Sequence, residues 1–507
     1  MWGTFSELAT KETFDLSPII NNIRIEANKK NSEGKRKKYS QYFTEINLAQ
    51  FMAQMFDQHY DHLRILDPGA GVGSLTAAII DKVCAQKVKP RMITATFYEI
   101  DSSMIPYLKR SIEFFQKKCS SEEILFNYNI YNQDFLESCV GEQQIDRFNC
   151  IIMNPPYKKL SGSSKIKKVL SNSGIEVANL YTAFLAVSAR FLDESGTLIA
   201  ITPRSFCNGT YFRSFRKDFL SKISFDRIHI FNSRSTLFKE DDVLQENIIL
   251  YGGKGKEKNI VNITSSDGLG NDVKTNLVSH DFIIHPDDPE LYVRLPHDQQ
   301  DIENVNKMMT LSRKLPDIGL MVSTGKIVDF RTTDHLREQL NENNVPLVYP
   351  EDLNNGVVLW NYSKDKKKLV EINEFTKKTL IKSNFYIVVR RFTSKEEKKR
   401  VVAAFYDPRV MPYELIGFEN HLNYFHDNGK GLSINLAKGL LIYLSSSHVD
   451  IYFRQFSGLT QVNANDLRNL YYPSKEQLIK LGNYMKQNLP EQRFIDKYVD
   501  DVCFNND

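Results

Sequence analysis

Between residues 60 and 253, apolar stretches short enough to be strands alternate with stretches whose apolar residues recur every three or four positions. The first kind fits buried strands and the second amphipathic helices. Seven strands are predicted: Leu63 to Asp67, Ile93 to Tyr98, Leu125 to Tyr131, Cys150 to Met153, Gly196 to Pro203, Phe225 to Phe231 and Gln245 to Tyr251. Helices are predicted over Asn47 to Phe56, Ser74 to Val83, Asn179 to Asp193 and Tyr211 to Lys222. Such alternation builds a doubly wound α/β domain. Residues 1–38 are polar and read as part helix, part loose arm. After Lys254 the chain turns polar, with charge clusters and the break Pro286-Asp287-Asp288-Pro289, the mark of a connection. Beyond it lie only short apolar runs (Leu347 to Tyr349, Tyr386 to Val389, Val401 to Phe405, Leu440 to Leu444), with Tyr and Phe interleaved among Lys and Arg. The expected division is an arm at 1–38, an α/β domain at 39–255, a connecting segment at 256–304 and a second domain at 305–507.

Composition changes this picture little. A chain of 507 residues is too long for one core. Its 41% hydrophobic and 25% charged residues are ordinary for a soluble globular protein. No apolar run approaches bilayer length, and Met1 to Lys30 lacks the layout of a signal peptide, so no membrane association and a cytoplasmic location are expected. Six scattered cysteines read as reduced thiols, with no metal expected, and ten histidines include no H-E-x-x-H. The formal charge of +4 does not announce a polyanionic partner, but its distribution says more. Lys29, Lys30, Lys35, Arg36, Lys37 and Lys38 cluster, and residues 361–400 hold 13 Lys and Arg against 5 Asp and Glu. Such runs are either solvated faces or phosphate-binding surfaces.

The chemistry concentrates at strand ends. The fourth strand stops at Asn154-Pro155-Pro156-Tyr157. Two prolines cannot continue a ladder, so they stiffen the backbone at the strand's carboxyl end, where open α/β sheets bind ligands. The turn aims the Asn154 side-chain oxygen, the Pro155 carbonyl and the Tyr157 ring at one place. Two acceptors beside a ring suit a planar amino-bearing group such as the N6 amine of adenine. The plain alternative is a strand-ending turn with an Asx cap.

The first strand runs into Asp67-Pro68-Gly69-Ala70-Gly71-Val72-Gly73. The glycines admit close backbone approach, but the G-x-G-x-x-G spacing is absent. Asp67 would repel a pyrophosphate and fits a ligand with a positive group, such as an amino-acid ammonium. That favours S-adenosylmethionine (SAM) over NAD or ATP. Glu99 ends the second strand, where an acid takes ribose hydroxyls, and is preferred to Asp101 for that role. Asp134 and Phe135 follow the third strand, placed to accept from an adenine amine and to stack on its ring. Tyr42-Phe43-Thr44 precedes the first helix, with Thr44 or Asn47 as its expected cap. Ser161 to Gly174, rich in Ser, Gly and Lys, reads as a mobile loop beside the site. Phe238, in an acidic and polar loop, offers a second stacking wall facing Tyr157.

In this order, Tyr42-Phe43-Thr44, Asp67 to Gly73, Glu99, Asp134-Phe135, Asn154 to Tyr157, Phe184 and Phe238 resemble the gamma-class N6-adenine DNA methyltransferases of type II restriction–modification systems, the TaqI and PstI kind. The resemblance implies a seven-stranded SAM-dependent methyltransferase domain and a C-terminal α+β target-recognition domain. It implies that Thr44, Gly69, Gly71, Glu99, Asp134, Phe135 and Phe184 line the SAM pocket. Asn154 and Pro155 would hold the adenine amine on a turn stiffened by Pro156, with Tyr157 and Phe238 sandwiching the ring. The partner it implies is double-stranded DNA; methylating a hemimethylated palindrome needs only one copy, so a monomer is the expected state. A cognate restriction endonuclease would share the site without forming a stable complex. A close PstI likeness implies CTGCAG as the target. The stretch from Tyr443 to Asn463 resembles type I specificity subunits, and Arg390, Arg391, Gln461 and Asn463 are candidates for reading base edges. Protein-glutamine and rRNA-guanine N-methyltransferases also use Asn-Pro-Pro-Tyr-like turns but lack so large a C-terminal domain. An inactive DNA-binding specificity protein is the rival from another class, opposed by the intact Asp67 to Gly73 and Asn154 to Tyr157.

Overall fold

The computed structural model describes residues 14–30, 44–140, 147–232, 246–255, 259–269, 272–361, 367–458 and 460–505. Two compact units divide the chain: residues 1–207 with 211–292, and residues 208–210 with 293–507.

The first unit is built on β1 (His62–Pro68), β2 (Met92–Tyr98), β3 (Leu125–Tyr131), β4 (Phe148–Met153), β5 (Leu192–Pro203), β6 (Ser224–Phe231), β7 (Asn247–Gly253), β8 (Ile260–Ser266) and β9 (Lys274–Ser279). They form one sheet in the order β3-β2-β1-β4-β5-β7-β6-β8-β9. Strands β3 to β5 in that order run parallel, β7 is antiparallel to both neighbours, and β8 and β9 extend the edge beyond β6. The reversal of connection between β1 and β4 opens a crevice at the carboxyl ends of the strands.

The helices that position the site are α1 (Leu16–Lys30), α2 (Ile46–Gln54), α3 (Ser74–Cys84), α4 (Ile105–Ser121), α5 (Phe135–Cys139), α6 (Lys165–Asn172), α7 (Leu180–Phe191) and α8 (Arg213–Leu220). Ile65, Cys150, Ile152, Ile199 and Ile201 share one core with α1 to α4. Their strand neighbours Leu66, Ile151, Leu198 and Ala200 are equally buried and by the two-residue period face the other way. Burial on both faces is why these strands read as unbroken apolar runs.

Two segments differ from the sequence expectation, and the helix expected within the arm packs on the core. Within the anticipated arm, α1 buries Leu16, Ile20, Ile23 and Ala27, and Asp81 of α3 accepts from the Leu16 and Ser17 amides. Ser161 to Gly174, expected as a loop, contains α6, whose N-cap Ser164 accepts from the Lys167 amide and whose Leu170 is buried. Flanking Ser and Gly obscured its apolar spacing. The connecting segment contains β8 and β9, missed because β9 exposes most of its side chains and both strands are rich in Asn, Thr and Ser.

The second unit is α+β. A six-stranded sheet has Tyr386–Arg390 between Leu422–His426 and Ala403–Tyr406, and a five-stranded sheet centres on Asn344–Val348. Helices Ile434–Leu444 and Lys475–Gly482 cross at two glycines. A Cβ on Gly439 would lie 1.7 Å from the Leu478 carbonyl oxygen, and one on Gly482 would lie 1.9 Å from that of Asn435. Backbone cannot yield as a side chain can, so Gly439→Ala forces the helices apart. The expected loss is about 3 kcal/mol or more, at the upper end of overpacking costs. Urea unfolding of this variant checks it, and a midpoint equal to that of wild type would refute it.

Candidate active site

The carboxyl ends of β1, β2 and β4 carry the candidate groups. After β1, Gly69 adopts φ 138° and Gly71 φ 55°, a backbone that only glycine takes readily. The turn is pinned to β2: Ala70 donates to the Tyr98 carbonyl at 3.0 Å, and Gly71 donates to Glu99 Oε2 at 2.8 Å. Glu99 Oε1 accepts the Asp101 amide at 2.7 Å. Asp101 Oδ1 accepts from Ser103, while Oδ2 is buried with no hydrogen-bond partner among the described residues. Between the two buried acids, Ile100 is 46% exposed.

Asp134 caps α5. Its Oδ1 accepts the Leu136 and Glu137 amides, which leaves Oδ2 to a ligand. The Phe135 ring lies 5.3 Å from both Tyr98 and Phe184. A Cβ at Gly69 would come 3.7 Å from Phe184, so the glycine turn and the aromatic pair adjoin.

The Asn154 turn is anchored differently. Asn154 Nδ2 donates to Thr44 Oγ at 3.1 Å, which commits the amide nitrogen and leaves the oxygen for another donor. The Tyr157 hydroxyl reaches that oxygen only at 3.4 Å. Burial holds the Tyr157 phenol above its usual range, so it stays protonated. Its ring meets buried Tyr181 edge-on at 6.2 Å, and Tyr181 is bonded to Ser205 at 2.8 Å. Beyond the turn, Leu180 donates to the Lys158 carbonyl and Leu160 to the Ala178 carbonyl, which ties it to the start of α7.

Thr44 therefore does not cap α2. The cap position is Glu45, and the Thr44 hydroxyl serves Asn154. Asp67 is 1% exposed, and its Oδ2 accepts from Thr76 at 2.9 Å, tying the end of β1 to α3. Phe238, Tyr42 and Phe43 lie outside the described residues. Tyr98 reads from the sequence only as the last residue of an apolar strand, and Ile100, between two acids, carries no signal of its own.

Burial, with the Glu99 charge adding to it, raises the Asp67 carboxyl to about 7. Its neutral form is favoured in the folded chain. The stability it contributes is full below its unfolded pKa near 3.8 and is lost as pH rises toward 7, by at most about 1.4 kcal/mol per pH unit. Asp67→Asn removes that dependence. Between pH 5 and 7, wild type should lose about 2–3 kcal/mol relative to the variant in urea unfolding. A difference constant across this range would overturn the assignment.

These residues fit SAM. Glu99 can take a ribose diol, Asp134 Oδ2 an exocyclic amine, and exposed Ile100 with Phe135 and Phe184 an apolar purine face. The unpartnered Asp101 oxygen is a further acceptor at the same strand end. All six cysteines are free and buried, and no group of three or more metal-ligating side chains occurs among the described residues.

A model of the Eco57I restriction-modification methylase family matches residues 80–238. The type II methyltransferase M.PstI of Providencia stuartii is 39% identical over 501 residues, 97% of this chain and 98% of that protein. M.BsuBI of Bacillus subtilis, also a type II methyltransferase, is 35% identical over 99% of this chain and 98% of its own length. Identity at this level from end to end extends through both units, and on it this chain belongs to the family of type II restriction–modification methyltransferases that includes M.PstI and M.BsuBI.

Proposed function

We propose that this protein is a sequence-specific DNA adenine-N6 methyltransferase that flips its target base and protects the site from a cognate endonuclease. The observation that carries it is Asn154. Its amide nitrogen is committed to Thr44 and its oxygen is left as an acceptor, on a proline-stiffened turn in the same crevice as Glu99.

An adenine amine is a poor nucleophile because its lone pair is delocalised into the ring. Asn154 Oδ1 and the Pro155 carbonyl accept its two N–H bonds, which draws the nitrogen toward a tetrahedral shape and localises the lone pair. SAM, when bound, supplies a methyl group made electrophilic by its sulfonium. The chain's residues act chiefly by orientation, which alone can supply roughly 7–11 kcal/mol. The amine becomes acidic only after transfer, and its proton leaves to water, so no ionised base beside Asn154 is required. Asp67 acts through the turn it braces.

In a duplex the amine is paired, so the base must leave the stack at a cost of a few kcal/mol. Stacking on Tyr157, with Phe238 as the second wall, returns about 1–3 kcal/mol per base. Lys158, Lys159 and Lys168 are exposed just beyond the turn and suit the flanking phosphates. The second unit is the target-recognition domain in this reading, and the enzyme works as a cytoplasmic monomer. Among the described residues, no helix is long and apolar enough to cross a membrane.

Single-molecule sequencing of chromosomal DNA from a methylation-free bacterial host tests the proposal. N6-methyladenine at one short motif, absent with Asn154→Ala, is the expected result. A soluble, SAM-binding protein that leaves no modified base would overturn it in favour of an RNA or protein amine substrate.

A further inference from the structure

Four backbone segments of the second unit are stitched into one surface. Gly325 donates to the Leu422 carbonyl and Asn420 to that of Ile327, both at 2.8 Å. Arg391 donates to the His421 carbonyl at 2.8 Å, Val462 to that of Arg391 at 2.7 Å, and Thr393 to that of Thr460 at 2.9 Å. The Asn423 amide adds a bond to the Val462 carbonyl at 2.8 Å. The approach at Gly325 is close: a Cβ there would lie 2.2 Å from the Glu419 carbonyl oxygen. Segments 325–327, 390–393, 419–423 and 460–462 thus hold each other in register.

Glu419 is wholly buried in this plate, and burial raises its carboxyl above the ordinary range. An acid in such a place costs stability unless it is well paired. Its two oxygens are spent on one neighbour. They accept the His421 backbone N–H at 2.8 Å and face His421 Nδ1 at 2.9 Å. The His421 side chain is itself 46% exposed, so a buried acid fixes the orientation of a surface imidazole and turns Nε2 away from the plate. Beside it, Arg391 Nη1 donates to the Asn420 carbonyl at 3.1 Å, which fixes the guanidinium while leaving its other donors. Phe392, 38% exposed, lies 5.0 Å from the His421 ring, and Gln461 is half-exposed across the Phe392–Gln461 bridge. Neither Arg391 nor Lys326 has a carboxylate partner among the described residues.

We propose that this plate is the base-reading face of the enzyme. Arg391 donates to O6 and N7 of a guanine in the major groove, and His421, oriented by Glu419, reads the adjoining base pair. The inference rests on the DNA-methylase reading and deepens it. Phosphate contacts need only a charge on a flexible stem, whereas edge reading needs a planar fork held at a fixed angle. A backbone-bonded arginine beside an acid-anchored histidine meets the second requirement. Two neighbours fall out of the reading set: Arg390 is paired with Glu397 at 3.3 Å, and Asn463 caps a helix while bonded to Asp466.

The test is the methylome of a methylation-free host expressing full-length wild type, Arg391→Ala, Arg391→Gln or His421→Ala. Arg391→Ala should methylate sites degenerate at one guanine, with discrimination there falling about 10- to 100-fold and other positions kept. His421→Ala should relax a neighbouring position, and Glu419→Gln should shift the same position in the same direction. Should an alanine variant leave no methylation, the purified protein is competed with oligonucleotides substituted at each base. A binding preference flattened at one position supports the proposal. An unchanged motif at lower overall methylation, or binding weakened equally for every sequence, makes these residues phosphate contacts and overturns it. A wild type that marks no adenine fails at the earlier step and sinks the methylase reading together with this one.

Discussion

Asn154→Ala should abolish detectable methylation in cells and slow single-turnover transfer by about 1,000-fold, with SAM affinity changed by less than about threefold. The magnitude follows from what is removed. The side-chain oxygen is one of two acceptors that reshape the amine, and deleting one preorganised polar contact of this kind costs about 100- to 1,000-fold. Here the deletion also takes the partner of Thr44, whose hydroxyl holds the amide from the far side at 3.1 Å. Two neighbours separate chemistry from base capture. Tyr157→Ala removes a stacking wall and should weaken engagement of the flipped base by about 10- to 100-fold, in KM for DNA more than in kcat. Thr44→Val keeps the Asn154 oxygen but frees the amide to rotate, so it should fall between wild type and Asn154→Ala in kcat. Rapid-quench transfer assays with equilibrium SAM binding resolve the three. Equal loss of SAM affinity in all of them would make the turn a cofactor-binding element and reject its assignment to the substrate amine.

The parts of this site differ in how far they can be read from the sequence, and the differences have physical causes. Strands β1, β2, β4 and β7 are legible because most of their positions are buried and apolar, whereas β3, an exposed edge strand, shows only through its aromatic and Ile positions. Strand β9 escapes because, at the sheet edge, it carries polar residues on its solvent side, and the inner β8 escapes because Asn, Thr and Ser interrupt its apolar run. The candidate groups at strand ends announce themselves by type: an amide before two prolines, glycines after an acid, an acid closing a strand. Their relationships do not. Nothing in residue order says that Thr44 bonds Asn154 across 110 positions, or that Asp67 spends its oxygen on Thr76. The base-reading plate is hidden more deeply. Its members come from four segments between residues 325 and 462, and Glu419, the acid that orients it, is one among 62 acidic residues in the chain. The crossing at Gly439 and Gly482 is likewise invisible, since a glycine inside a helix reads as a weak position until the partner backbone is seen.

Glu99→Gln should weaken SAM binding by about 100-fold and lower the thermal midpoint by a few degrees, although it changes one atom and no volume. The carboxylate works in two directions at once. Inward, Oε2 accepts the Gly71 amide and Oε1 the Asp101 amide, so the acid pins the glycine turn to the end of β2. Outward, the carboxylate stands at the carboxyl end of β2, the place where an acid takes a ribose diol. A glutamine has one acceptor oxygen, and either orientation of its amide sets an NH2 against a backbone N–H that had an acceptor. That buried donor is then unmet, at about 1–3 kcal/mol. The same NH2 cannot accept from a hydroxyl, so one charge-assisted bond to the diol is also lost, worth about 1.5–3 kcal/mol. The two losses fall on different measurements: the first appears in the melting of the free protein, the second only in SAM titration. Glu99→Asp makes the separation sharper, because it keeps two acceptor oxygens but shortens the reach, and it should retain more of the SAM affinity than Glu99→Gln. Calorimetric titration with SAM beside thermal melts of the free proteins checks both arms. If Glu99→Gln melts lower yet binds SAM as wild type does, Glu99 is a brace for the turn and the diol contact belongs to Asp101, whose Oδ2 is buried and unpartnered at the same strand end.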